Sequence, residues 1–201
     1  PNGWCYDEWD FRRRHYRKNW CILREIDMRS SSEPLVERTL EKYSGLVSEL
    51  RRTFEALRSE NRRLKRQPNG DDIDLEAAVE AQAEARAGHE VSERLFTQVR
   101  RLDRDTAVMF MVDVSGSTKG WINDAERESL VLLCEAVEIL GDQYAIYGFS
   151  GMTRKRCELY RIKRFDDAYD NQVKARIAGI RPQDYTRMGV TIRHLTKLLQ
   201  A

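Results

Sequence analysis

The motif Asp-x-Ser-x-Ser at residues 113–117 constrains the fold more than any other part of the sequence, because of the segments on either side of it. Residues 107–112 are all apolar, as in a strand that is buried on both faces of a sheet. Residues 122–140 carry apolar side chains close to helical spacing. We therefore place the motif in a loop between a strand end and a helix, where open α/β sheets bind ligands.

The chemistry of this loop favours a hard metal ion. Asp113 offers a carboxylate, and Ser115 and Ser117 offer hydroxyls on alternate residues. Oxygen donors of this kind suit Mg²⁺ or Mn²⁺, with water completing the octahedron. In the alternative interpretation, the two serines cap the following helix and Asp113 is a turn residue.

This arrangement resembles the metal-ion-dependent adhesion site of von Willebrand factor A (VWA) domains. In that family a first loop supplies Asp-x-Ser-x-Ser, a second a Thr and a third an Asp, and the metal keeps one position open for a partner's carboxylate. Thr186 precedes an amphipathic segment and stands where the second-loop Thr is expected. The resemblance thus implies a metal site formed by Asp113, Ser115, Ser117 and Thr186. The sequence ends at Ala201 before any third loop, so we expect this site to be incomplete.

The resemblance implies an α/β fold class, with a partial Rossmann-like VWA domain that stops before its later strands and follows an α-helical extension. We expect three parts. These are an aromatic and basic docking segment at 1–33, a helical hairpin with a connector at 34–105, and the N-terminal half of a VWA domain at 106–201. In VWA domains the third strand is antiparallel and lies at the sheet edge, and the resemblance implies this position for the strand predicted over 157–162. The polar alternation of residues 158–163 fits an edge strand better than a central one.

The hairpin is predicted from periodicity. Residues 34–66 carry a heptad seam of nine positions, from Val36 to Leu64, which predicts one long helix. Residues 67–70 are a strong helix breaker, and a second helix is predicted over about 75–87. Its acidic first turns suit the helix dipole and could also face the arginines of the first helix.

The aromatic and basic side chains of residues 1–32 allow two interpretations. Aromatics interleaved with arginines could stack single-stranded nucleic acid, or they could pack this segment against protein. The whole chain has 35 Lys and Arg against 33 Asp and Glu, a net charge of only +2. General nucleic-acid binding calls for a clear basic excess, so we expect docking to protein and no nucleic-acid partner.

The cysteines, the apolar runs and the first residue indicate the cellular compartment and the extent of the chain. The four cysteines show no Cys-x-x-Cys spacing, and two lie within helix or strand patterns, which favours a reduced, cytoplasmic environment. No apolar run approaches a membrane span, and no signal peptide is visible. Because the first residue is Pro1 rather than Met, we expect an internal piece of a larger protein.

The residues before the VWA-like part narrow the resemblance. The segments 6–10, 16–17, 20–21, 69–75 and 185–189 are similar to those of nitric oxide reductase activation proteins of the NorD type, and to rubisco-activation partners of the CbbO type. This resemblance implies a non-enzymatic accessory protein that recruits a MoxR-type AAA+ ATPase to a client enzyme complex. The client would be nitric oxide reductase, in denitrification, or alternatively rubisco. The chain has no phosphate-binding Gly-x-x-x-x-Gly-Lys motif, so the ATPase activity would reside in the partner.

Enzymatic interpretations have weaker support. Residues 148–152 lack the Gly-x-Ser-x-Gly spacing of a nucleophile elbow, and the three histidines lie far apart in sequence. A Mg²⁺-dependent phosphatase could use Asp113 as nucleophile, but such enzymes need a second Asp where Ser115 stands. An extracellular adhesion module is the remaining alternative. We expect no catalytic residues.

Overall fold

The structure, a computed structural model, describes residues 3–58, 61–101 and 106–200. The strands are β1 (Trp4–Asp10), β2 (His15–Asp27), β3 (Asn61–Gln67), β4 (Asp72–Ile73), β5 (Phe96–Arg101), β6 (Ala107–Asp113), β7 (Gln143–Thr153) and β8 (Arg156–Lys163). The helices are α1 (Leu35–Lys42), α2 (Ser44–Arg58), α3 (Leu75–Ala87), α4 (Trp121–Leu140), α5 (Asn171–Ala178) and α6 (Met188–Gln200). The chain is thus a mixed α/β protein, and it divides into two units, Pro1–Arg52 with Thr106–Ala201, and Thr53–Asp105.

The first unit is built on a sheet whose strand order, among the residues described, is β1-β2-β8-β7-β6. Strands β6 and β7 are parallel, and Asp113 at the end of β6 lies opposite Phe149. Residues 144–151 of β7 are all buried, on both faces of the sheet, as is typical of a central strand. Ile146 packs in the cluster that contains residues of α1, α4 and α5, whereas Ala145 and Tyr147 pack in the cluster that contains Val190 and Leu195 of α6.

The N-terminal segment belongs to this sheet, which changes the expected position of β8. Strand β8 is antiparallel to β7, as predicted, but the prediction that it forms the sheet edge is wrong. Strand β2 pairs with it in parallel from Leu23↔Cys157 to Asp27↔Arg161, and β1 pairs antiparallel with β2. The segment predicted at 1–33 thus contributes two strands, Trp4–Asp10 and His15–Asp27, to the sheet of the first unit. The polar alternation of β8 gave no sign of this pairing, because its partner lies more than 130 residues away in the sequence.

The residues predicted to form a helical hairpin belong partly to each unit, and their structure differs from the prediction. The helix predicted over 34–66 is interrupted at Tyr43 and ends at Arg58, and β3 follows it. Strand β3 pairs antiparallel with β5, which also pairs with β4. The local sequence keeps its helical periodicity as far as Leu64. The non-local pairing of β3 with β5 nevertheless determines the observed strand.

Helix α3 was predicted correctly, because its ends carry strong local signals. Asp74 caps the first turn by accepting a hydrogen bond from the Ala77 amide, and Gly88 ends the helix in the left-handed conformation. Its acidic residues face basic ones of β3 in the pairs Lys65–Glu76 and Arg66–Glu80. Because these pairs are exposed, each contributes little to stability.

Two further features concern the described residues as a whole. None of their helices has the length and apolarity needed to cross a membrane. All four cysteines are free; Cys21, Cys134 and Cys157 are buried and Cys5 is exposed.

Candidate metal centre

The Asp-x-Ser-x-Ser loop is ordered by hydrogen bonds between its own residues. Asp113 ends β6, and its Oδ1 accepts a hydrogen bond from the Ser115 amide at 2.8 Å. The chain then enters a 3₁₀ turn over Gly116–Thr118, where the Thr118 hydroxyl donates to the Ser115 carbonyl at 2.8 Å. The Ser115 and Ser117 hydroxyl oxygens lie 2.7 Å apart. The three first-loop oxygen groups are therefore held close together.

Thr186 is brought to this loop by backbone hydrogen bonds of the segment 183–185. The Gln183 amide donates to the Val114 carbonyl, and the Gly116 amide donates to the Asp184 carbonyl, each at 2.6 Å. The Gly151 amide of β7 donates to the Tyr185 carbonyl at 2.6 Å. As a result, the Thr186 hydroxyl lies 3.5 Å from Asp113 Oδ2. All four residues predicted from the sequence thus lie in one group at the carboxyl end of β6.

Arg187 connects this second loop to the N-terminal strands. Its Nη1 forms an ion pair with Glu8 Oε1 of β1 at 2.7 Å. Its side chain also packs against Gly151, where an added Cβ would lie 3.1 Å from the Cβ of Arg187. Glycine at position 151 therefore allows the second loop to approach β7 closely.

Glu126 is a carboxylate near the site that the sequence analysis missed. Burial and the negative charge of Asp113 raise the pKa of Glu126 to about 7. Its Oε2 is buried and has no hydrogen-bond partner among the residues described. Two carboxylates held close together repel each other when ionised, and a cation between them would relieve this repulsion. A local signal for Glu126 does exist, because it lies four residues from both Ile122 and Leu130 on the apolar face of α4.

The donor set fits a hard divalent cation, because all of its side-chain donors are oxygens. Asp113, Ser115, Ser117 and Thr186 would hold the ion, and Glu126 adds negative charge nearby. Ser115 is buried, whereas Ser117 and Thr186 are exposed, so one side of the group is open to solvent. Two strongly exposed aromatic residues are close in sequence to the site. Trp121 follows the first loop and is 77% exposed, and Tyr185 precedes Thr186 and is 72% exposed. Exposed apolar residues beside a polar site are typical of a protein-binding surface.

Gly116→Ala tests how the second loop is positioned. An added Cβ would lie 3.0 Å from the Gln183 carbonyl oxygen and 3.3 Å from that of Asp184, so residues 183–186 must shift. We expect the Gln183 amide, which donates to Val114, to exchange its hydrogen faster by roughly tenfold. Amide hydrogen exchange measures this. Gly189→Ala is the matched control, since nothing lies within 4 Å of its added Cβ. Unchanged exchange in Gly116→Ala would show that the loop does not depend on this close approach.

The fold and site together define a mixed α/β protein with a cluster of oxygen donors in the loop that follows β6. No protein-family model matches the chain. The chain is 35% identical over 198 residues to an uncharacterised protein of Pseudomonas aeruginosa, covering 96% of this chain and 32% of that protein. It is 34% identical over 199 residues to the protein NorD of Brucella melitensis, covering 96% of this chain and 31% of NorD.

A third relative has a similar identity to the chain over a similar length. The protein NorD of Stutzerimonas stutzeri is 33% identical over 199 residues, which cover 96% of this chain and 32% of that protein. The chain therefore spans about a third of the length of the curated relatives it matches. Along nearly all of its own length it is similar to NorD proteins.

Proposed function

We propose that the chain is part of a NorD-type accessory protein that recognises a partner through a divalent cation held by Asp113, Ser115, Ser117 and Thr186. The observation that carries this proposal is the docking of residues 183–185 on the first loop, which brings the Thr186 hydroxyl to 3.5 Å from Asp113. The similarity to NorD proteins over 96% of the chain supports the accessory role. The parallel β6 and β7, with β8 antiparallel beside them, support a VWA-type fold for this part.

The residues of the site would have different roles in recognition of the partner. When bound, Mg²⁺ or Mn²⁺ offers an open coordination position to a carboxylate of the partner. Asp113 supplies negative charge, and the three hydroxyls supply neutral oxygen donors. Trp121 and Tyr185, both strongly exposed, supply apolar contact area around the polar centre. We assign no catalytic role to any of these residues.

A MoxR-type AAA+ ATPase would supply mechanical work, and this chain would link it to a client enzyme complex. Nitric oxide reductase is the client that the NorD relatives favour; rubisco is the alternative carried by the resemblance to CbbO-type proteins. The free, buried cysteines are compatible with a cytoplasmic location.

Capture of the ATPase by the full-length protein tests this function. We expect wild type to retain the ATPase in Mg²⁺ and to lose it in EDTA, and Asp113→Ala to lose it in both conditions. The expected loss is large, because the neutral hydroxyls that remain cannot offset the desolvation of a divalent cation. Repeating the capture with nitric oxide reductase and with rubisco distinguishes the two clients. Equal capture by wild type and Asp113→Ala, with and without EDTA, would refute cation-bridged recognition.

A further inference from the structure

The turn of the β1–β2 hairpin carries exposed aromatic and basic side chains that the proposed function does not use. We call residues 9–18 the hairpin tip. Phe11 is 74% exposed, and Trp9 and Tyr16 are about half exposed. The segment 11–18 contains five basic residues and no acidic one: Arg12, Arg13, Arg14, Arg17 and Lys18. The hairpin tip therefore combines apolar area with local positive charge.

The carboxylates nearest in sequence neutralise Arg17 but do not pair with Arg12, Arg13 or Arg14. Asp10 accepts from the Arg17 side chain at 2.7 Å and from the backbone amides of Arg12 and Arg13. Glu8 is paired with Arg187. Within the part of the chain that the structure describes, no carboxylate forms an ion pair with the side chains of Arg12, Arg13 and Arg14. Their charge is thus available to a partner.

Two aromatic rings of this region, those of Trp20 and Tyr16, already have guanidinium groups over them, which favours a protein partner over nucleic acid. The guanidinium groups of Arg17 and Arg154 lie 4.3 Å and 3.8 Å from the centroid of the Trp20 ring. Tyr16 has Arg193 over its ring and contacts Trp9 edge to face. Binding of single-stranded nucleic acid needs open ring faces on which bases stack. Tryptophan, tyrosine and arginine are instead the residues enriched in protein-binding hot spots.

A cavity of about 250 Å³ beside the hairpin tip offers space for a partner's side chain. It is lined by Glu8, Trp9, Asp10, Phe11, Arg17 and Trp20. Three of these six residues are aromatic, and the two carboxylates among them are engaged as described above. The cavity therefore suits an apolar side chain whose neighbours in the partner are acidic.

We propose that the hairpin tip docks an acidic segment of a partner protein. The partner's carboxylates pair with Arg12, Arg13 and Arg14, and one of its apolar side chains enters the cavity beside Trp9 and Trp20. This contact is made by residues distinct from the four proposed to hold the cation, and it needs no cation.

Binding of a fluorescent peptide of glutamates with one central phenylalanine tests the proposal on the 201-residue chain at low salt, in EDTA. Replacing Arg12, Arg13 and Arg14 by Gln should weaken binding by roughly tenfold or more. The matched control replaces the exposed Arg51, Arg52 and Arg86 by Gln, which changes the net charge equally and should leave binding within about twofold. Phe11→Ser should also weaken binding, by roughly fivefold, since it removes apolar contact without changing charge.

The outcomes separate specific docking from general charge attraction. Equal weakening by the two triple variants, or no effect of Phe11→Ser, would overturn the proposal, because either result means that overall charge alone attracts the peptide. Tighter binding of single-stranded DNA or of phosphatidylserine vesicles than of the peptide, lost in the same variants, would assign the surface to that partner instead. Phe11→Ser keeps the test valid if the triple variant fails to fold, since Phe11 lies in an exposed turn.

Discussion

Asp113→Asn is expected to abolish stabilisation of the full-length protein by Mg²⁺. A ligand that binds only the folded state stabilises it by about 2.7 kcal/mol at a concentration 100 times its Kd. Asparagine keeps the oxygen that accepts from the Ser115 amide, so the loop conformation is retained while the charge is lost. Ser115→Ala and Thr186→Ala should reduce the stabilisation less, because each removes a neutral donor that water can replace. Thermal unfolding with and without MgCl₂ measures all three.

The control for this experiment lies at the opposite end of the strands, near the start of β7. Asp166 is exposed and follows β8, whose Lys163 lies opposite Ile146 near the start of β7. Asp166→Ala removes the same charge far from the proposed site and should leave the Mg²⁺ response unchanged. The charge of Asp113 also contributes to the raised pKa of Glu126, so Asp113→Asn should lower that pKa. A Mg²⁺ response of equal size in wild type and Asp113→Asn would eliminate Asp113 as a ligand.

The parts of the fold that were predictable from the sequence have short-range causes. Strand β6, the Asp-x-Ser-x-Ser loop and α4 follow one another along the chain, and the apolar run and the helical spacing mark them without reference to other elements. Gly88 and Gly141 both end helices in the left-handed conformation, and glycine is the residue that adopts this conformation most readily. The placement of Thr186 near Asp113 came from the family resemblance, and the hydrogen bonds of residues 183–185 give its physical cause.

The parts that were not predicted depend on residues far apart in sequence. Strand β3 has the local periodicity of a helix, and only its pairing with β5 makes it a strand. The local sequences of β2 and β8 likewise do not predict that these strands pair. Glu126 was missed for a related reason: its position on the apolar face of α4 indicates burial, but only the folded structure shows that the charge of Asp113 acts on it. Local patterns thus predict elements and their ends, whereas pairing and charge proximity require the assembled structure.

Arg127→Met is expected to destabilise the first unit by about 3 kcal/mol at neutral pH. The Arg127 side chain is 5% exposed, and its guanidinium holds three groups together. It donates to Glu33 at 2.7 Å, to Asp124 at 2.6 Å and to the Ala178 carbonyl at 2.9 Å. These bonds join α4 to the segment before α1 and to the end of α5. Methionine fills much of the same volume but leaves these acceptors without this donor. Urea unfolding followed by tryptophan fluorescence measures the loss, because all four tryptophans lie in the first unit.

Acid should remove part of the same stabilisation, because the pKa of Glu33 is lower in the folded protein than its ordinary value. Hydrogen bonding to Arg127 lowers the pKa of Glu33 from its ordinary 4.5 to about 2. A carboxyl whose pKa is lower in the folded state stabilises the fold above its unfolded pKa, and this contribution is lost as pH falls toward the folded pKa. Wild type should therefore lose on the order of 2 kcal/mol through Glu33 between about pH 4.5 and pH 2, after allowance for solvent screening. Arg127→Met should lose much less over that range, so the two stabilities should converge in acid.

Arg38→Met is the matched control, because Arg38 donates to the same carboxylate at 2.8 Å from a side chain that is 53% exposed. Solvent competes with an exposed ion pair, so this change should cost less than about 1 kcal/mol at neutral pH. It should also leave most of the acid dependence in place, since Arg127 is the principal cause of the lowered pKa of Glu33. If Arg38→Met and Arg127→Met reduced stability equally, burial of Arg127 would not be what makes this ion pair strong.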